Sequence, residues 1–169
     1  MATLKQSIQL AIREMLKKYT DCLPNNILAG YNNRVELPTD NDYIVFTVLN
    51  PLRTGTPIER TTATPLQGTV TSYQHFRLPV QIDFYGANAF DRANDIINLS
   101  RTSTLCDFFK QYNIQPIAAD DAQNLTGISG EQEYVERWMV QLEVEYTDVY
   151  STKQDVFEGA SLNIFETEL

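Results

Sequence analysis

Between Tyr134 and Tyr150 the sequence alternates with a period of two. Tyr134, Glu136, Trp138, Val140, Leu142, Val144 and Tyr146 fall on one face; Val135, Arg137, Met139, Gln141, Glu143 and Glu145 fall on the other. Successive side chains of a strand point to opposite faces, so this run predicts one long strand. At ~3.3 Å per residue it spans on the order of 55 Å. A globule of 169 residues has a radius of gyration of only roughly 15 Å. The strand therefore bends, or leaves the body and reaches a neighbour.

The remaining periodicities supply what such a strand packs with. Leu4, Ile8, Ala11, Ile12, Met15 and Tyr19 share one face of a predicted amphipathic helix over 3–20. A capping-box pair, Thr3 with Gln6, opens this helix, and Pro24 with Asn25-Asn26 stops it. Tyr43 to Leu49 is β-branched and aromatic, a short strand ended by Asn50-Pro51. From Tyr73 a second alternating run begins, with Phe76, Leu78, Val80, Ile82 and Phe84 on its apolar face. Pro79 inside it predicts an edge position or a bend, because proline has no N–H for the ladder. After Gly86, Asn88 with Asp91 opens a helix carrying Phe90, Ala93, Ile96 and Ile97; Thr104 with Asp107 opens another carrying Leu105, Phe108, Phe109 and Tyr112. Ile114 to Ile117, interrupted by Pro116, reads as a short edge strand. The pattern predicts an α+β fold: an antiparallel (mixed) sheet with two or three helices packed on one face. It forms one domain over 1–150, followed by a C-terminal arm over 151–169.

Two segments resist this pattern. Residues 50–72 hold Pro51, Pro57 and Pro65 among many threonines, and predict a long Thr/Pro-rich loop. The expectation is a loop that is mobile in the free chain and orders on meeting a partner, with a hairpin around Glu59-Arg60 as one ordered form. Arg53, Ile58, Glu59 and Arg60 are its candidate interface residues. In the arm, Val156, Phe157, Leu162, Ile164 and Phe165 are apolar without helical spacing, which suits docking on an adjacent copy or another protein. Charge is polarised as well. Residues 1–20 carry Lys5, Arg13, Lys17 and Lys18 against Glu14, whereas 131–169 carry ten acids against Arg137 and Lys153. The net charge of −9 argues against a free-standing duplex-DNA binder, which needs basic side chains to neutralise phosphates.

Residues for catalysis are scarce. His75 is the one histidine, and it stands on the polar parity of its strand. Cys22 and Cys106 have no metal-ligand spacing and read as small hydrophobes. Glu143 and Glu145 share a strand face ~6–7 Å apart, a spacing that suits a hard cation or a hydrolase. They define an alternative reading as a small acidic metal-dependent enzyme, although an acidic solvent face is the commoner use. No phosphate-binding glycine loop, zinc-protease or calcium-loop motif occurs. The sequence therefore predicts no catalytic, cofactor or metal site. With no apolar run of ~18–20 residues and no signal-peptide core, it also predicts no membrane association.

Four blocks carry a family resemblance. They are Asn33-Arg34 with Pro38 and Asp42 to Thr47; Val80 to Gly86; Ser103 to Phe109; and Gly130 to Trp138, the most specific of them. In order and spacing they resemble the neck terminators, or tail-completion proteins, of long-tailed bacteriophages. The resemblance implies a structural virion protein with an α+β fold and no active site, assembled in the host cytoplasm and sited at the neck. Similar proteins form a ring, usually of six copies, that caps the tail tube and stops its polymerisation. Such a ring meets the head connector, with DNA passing through its lumen and the tail sheath as a further neighbour. A different head–tail adaptor or baseplate ring is the alternative within that class. Asp83, Tyr85, Arg137 and Trp138 then read as architectural residues.

Overall fold

A computed structural model of the chain describes residues 4–31, 38, 41–64, 67–129 and 133–155. In chain order the elements are helix α1 (Leu4–Tyr19) and strands β1 (Ile27–Ala29), β2 (Tyr43–Val48), β3 (Leu52–Arg53), β4 (Ile58–Thr64) and β5 (Gln67–Tyr85). Helices α2 (Ala89–Leu99) and α3 (Ser103–Lys110) follow. Strands β6 (Ile114–Ala119), β7 (Gln123–Asn124), β8 (Gly127–Ser129), β9 (Glu133–Val135) and β10 (Arg137–Gln154) complete the described chain. The main sheet has the order β1-β2-β5-β10-β6; β3 and β4 also pair with β5, and β7 pairs with β10. Only the β1–β2 pairing is parallel among the described strands. The fold is α+β with a mixed, largely antiparallel sheet, as the periodicities predict.

Alternation decides which side the helices cover. Ile44, Phe46, Val80, Ile82, Phe84, Val140, Leu142 and Val144 share a parity and are all buried in one core. The same core takes Ile8, Ile12, Met15 and Leu16 from α1, Ala89, Ala93 and Ile96 from α2, and Leu105 and Phe109 from α3. Fully burying an aliphatic side chain contributes ~1.5–3 kcal/mol, so these rows dominate the stability. Leu4, expected on the buried face of α1, is exposed, and Leu16 occupies the core instead. Thr3 of the expected capping box lies outside the described residues. The start of α3 is capped by Thr102, whose side chain accepts from the Leu105 N–H, and not by Thr104. Asn88 precedes α2 without a side-chain cap, because its amide turns to Asp21.

Pro79 sits in the interior of the sheet, not on an edge. Its carbonyl accepts from the Leu49 N–H at 3.0 Å, which places its missing donor on the β2 side. That is where β2 ends and the chain leaves the ladder through Asn50-Pro51 before β3 resumes it at Leu52. The proline thus coincides with a gap that needs no donor.

Two further expectations are corrected. The long strand begins at Arg137, not Tyr134: Tyr134 belongs to β9, which pairs with β8, and the chain breaks at Glu136. At its other end β10 runs through Gln154, past the expected boundary at 150. Residues 50–72 are not a loop: they form β3, β4 and the start of β5, with β4 paired to β5 from Ile58↔Tyr73 to Thr64↔Gln67. Glu59-Arg60 lies within β4, so no hairpin turn falls there. The physical reason is that β-branched threonine suits a strand once a template lies beside it. The backward extension of β5 to Gln67 provides one.

Gly86 closes β5 with φ +104°, a conformation that L side chains rarely adopt. A Cβ there stands 2.8 Å from Asp42 Oδ1 and 3.1 Å from Asn41 O. Gly86→Ala is expected to destabilise the protein by about 1–3 kcal/mol. The midpoint of urea unfolding, compared with wild type, measures it.

Candidate assembly surface

Past Tyr146 the β5–β10 pair leaves the core. Phe76 and Tyr146 stack at 5.4 Å as the last large pair at its base, and every residue of β10 from Thr147 to Gln154 is exposed. These eight residues extend roughly 25 Å at ~3.3 Å each. With β4 they make a three-stranded ribbon. Ile58, Tyr73 and Val149 stand in line across its three strands, Ile58 54% and Val149 53% exposed. Tyr150, 70% exposed, points to the opposite face. Arg60 lies over the Tyr73 ring at 5.5 Å. Ile58, Arg60, Tyr73 and Val149, with His75, Thr147 and Asn113, line a concavity of ≈ 600 Å³. Of the expected interface residues, Ile58 and Arg60 therefore come together on one face of the ribbon. Glu59 falls on the other, and Arg53 is exposed nearer the base in β3. Val156, Phe157, Leu162, Ile164 and Phe165 lie outside the described residues.

On the sheet face away from the helices, the four expected architectural residues divide. Asp83, 4% exposed, accepts from Arg137 Nη2 at 2.9 Å and Arg137 Nε at 3.1 Å, and its second oxygen accepts from Gln81 Nε2 at 2.8 Å. The Arg137 guanidinium lies 5.5 Å from the Tyr85 ring, which stacks on Tyr43 at 4.4 Å. Burial raises the pKa of both tyrosine hydroxyls, and the Arg137 charge partly offsets it. This chain of contacts ties β10, β5 and β2 together. Trp138 points the other way, meeting Phe90 of α2 at 4.7 Å and donating to Glu136 Oε1 at 2.9 Å.

A second polar node is centred on α2. Arg92, on α2, is 3% exposed and donates to Asp21, after α1, and to both carboxylate oxygens of Asp42, before β2. Burial alone lowers its pKa, but the bonds to Asp42 and Asp21 outweigh that and raise it. The Arg92 bond holds the Asp21 carboxyl below its ordinary value. The only sequence signal was a cation on the buried stripe of α2, three residues after Ala89.

The alternative enzyme site has other partners. Glu143 lies 3.5 Å from Arg77, and Glu145 lies 3.6 Å from His75, whose Nδ1 also meets Thr147 Oγ1 at 2.9 Å. Each carboxylate has an arginine or histidine neighbour on the adjacent strand, which suits a cross-strand pair better than a bound cation. No group of three or more His, Cys, Asp or Glu able to hold a metal occurs among the described residues. No described helix is long and apolar enough to cross a membrane.

The described chain is thus an α+β body with a projecting, partly apolar ribbon. The sequence matches the family described as phage neck terminator protein over residues 6–168, and the chain belongs to that family. No curated protein matches it. The family is one of structural phage proteins, which makes this chain a structural component of the virion at the tail and neck and implies contacts with other tail and head proteins.

Two outcomes test the polar nodes. Removing Arg137 leaves the buried Asp83 without its ion-pair partner, so Arg137→Ala is expected to cost about 2–3 kcal/mol. Adding Asp83→Ala should recover part of it, read from a double-mutant cycle in denaturant. For Asp21 the folded pKa lies below its unfolded value of about 4. Its contribution is thus present above pH ~4 and is lost as pH falls through the lower folded value. Asp21 is largely exposed, so the effect is small. Asp21→Asn should lower stability at pH 6 and flatten the loss below pH 4, measured by thermal unfolding across pH.

Proposed function

We propose that the protein is a ring-forming terminator that caps the head-proximal end of the tail tube, ends its polymerisation and joins it to the head connector. Six copies enclose a lumen through which DNA passes without sequence-specific contacts. The observation that carries this reading is the ribbon, a long exposed projection with apolar residues on both faces, in a chain of the neck terminator family.

Charge favours head-to-tail contacts, the kind a closed ring requires. α1 packs over β1 and β2 at one edge of the sheet and presents Lys5, Arg13 and Lys17 outward. Asp120 and Asp121, both exposed, follow β6 at the opposite edge. Opposite signs at opposite edges steer one copy onto the next. Val156, Phe157, Leu162, Ile164 and Phe165, which follow the ribbon in sequence, are part of this proposed contact surface.

Ile58→Asp with Tyr150→Asp tests it, because both side chains are exposed in the single chain. Thermal unfolding is expected to stay within about 1 kcal/mol of wild type. Joining of heads to tails in an extract lacking the native protein should fall at least tenfold. Joining at the wild-type rate, or a native mass of the tube-bound protein corresponding to a monomer or dimer, contradicts the proposal.

A further inference from the structure

The ribbon has two edges that pair with no strand among the described residues, and they match. Within a strand, backbone groups turn alternately to the two sides. On β5 the odd residues turn toward β2, β3 and β4: Pro79 O accepts from Leu49 N at 3.0 Å, and His75 O from Thr54 N at 3.2 Å. Ile58, Arg60 and Thr62 of β4 stand opposite Tyr73, Thr71 and Thr69, so Glu59, Thr61 and Ala63 aim their backbone groups away from β5. On β10 the odd residues turn toward β6 and β7: Gln141 O accepts from Asp120 N at 2.9 Å, and Arg137 O from Leu125 N at 2.8 Å. The β6–β10 pairing stops at Ile114↔Tyr146. Thr147, Val149, Ser151 and Lys153 therefore aim backbone groups at no strand among the described residues.

Such edges pair with other chains unless proline, charge or a bulge blocks them. The β4 strand has no proline within it, and neither does this part of β10. Their free stretches also lie at the same level, Ile58 in line with Val149 and Ala63 with Gln154. Both run antiparallel to β5, hence parallel to one another. Rotating one copy about an axis along the ribbon brings its β4 beside the next copy's β10 with direction and level already matched.

We infer that β4 of each copy pairs in parallel with β10 of the next copy, joining the ribbons edge to edge into one closed wall of three strands per copy. This deepens the ring reading and rests on it. The occupant of each edge is a second copy of this chain, because the complementary edge of the same length and polarity stands on the same ribbon.

Thr62→Cys with Lys153→Cys tests the pairing. Within one chain these residues flank Thr69 from its two sides, two strand spacings or ~9.6 Å apart. A disulfide needs Cα atoms within ~6.8 Å, so no bond forms inside the chain. Between copies the two positions become direct neighbours at ~4.8 Å. Oxidation of the tube-bound protein should give a reducible ladder of covalent multimers, ending at the ring size, that each single variant lacks. A ring seen by electron microscopy that runs only as monomer on a non-reducing gel, or that crosslinks only to tube protein, overturns the pairing and leaves the ring standing. Absence of any ring on tube ends overturns both. Thr61→Pro removes one outward N–H without touching the β4–β5 ladder. It should reduce ring yield at least tenfold with an unchanged circular-dichroism spectrum; undiminished yield overturns the pairing.

Discussion

Everything in this molecule hangs on the antiparallel ladder between β5 and β10, unbroken from Arg137↔Tyr85 to Gln154↔Gly68. Over its first half the ladder is the floor of the core: Val80, Ile82 and Phe84 alternate with Val140, Leu142 and Val144 beneath the helices. Over its second half no described helix covers it, and Thr147 to Gln154 are exposed. There the same backbone pairing is held by hydrogen bonds of ~0.5–1.5 kcal/mol net each and by cross-strand side-chain pairs. One element is thus firm at its base and loose toward its tip, a gradient expected wherever buried apolar contacts run out.

The polar nodes do a different job from the core. Hydrophobic contacts are non-directional, whereas a buried charge left without its partner is costly. Arg92 reaches Asp21 and Asp42 together only when α1, α2 and the start of β2 are all in place. Asp83 and Arg137 match only at one register of β5 against β10. A slip of one residue along that ladder separates this pair and turns every apolar side chain to the wrong face. Gly86 lies between the two nodes, its missing side chain making room for Asp42.

Much of this was readable from the chain because periodicity is a local signal. The rows at Phe76–Phe84 and Val140–Tyr146, the helices and the uncovered polar face all follow from spacing. The failures share one cause: partners distant in sequence. Thr61, Thr62 and Thr64 look like loop residues until β5, extended back to Gln67, lies beside them. Tyr134 keeps the parity of β10, yet β8 takes it. Arg92 reads as a misplaced cation until two aspartates, one fifty and the other seventy-one residues away, converge on it. Of the candidate site, Asp83 and Arg137 were recognisable as positions, but only the register makes them a pair. The ribbon's length was implied by the arithmetic of the strand; its third member was not.

The position of β10 in the sheet also sets the order in which the protein comes into being. This strand lies between β5 and β6, although both precede it in the chain. While the ribosome is still short of residue 137, the central slot is empty: β5 has only its β2 side and β6 has no partner among the described strands. Pairings between segments so far apart are slow to form. The sheet closes, and the ribbon acquires its third strand, only after residue 154 has emerged. A nascent chain therefore carries no finished ribbon until synthesis has passed that point.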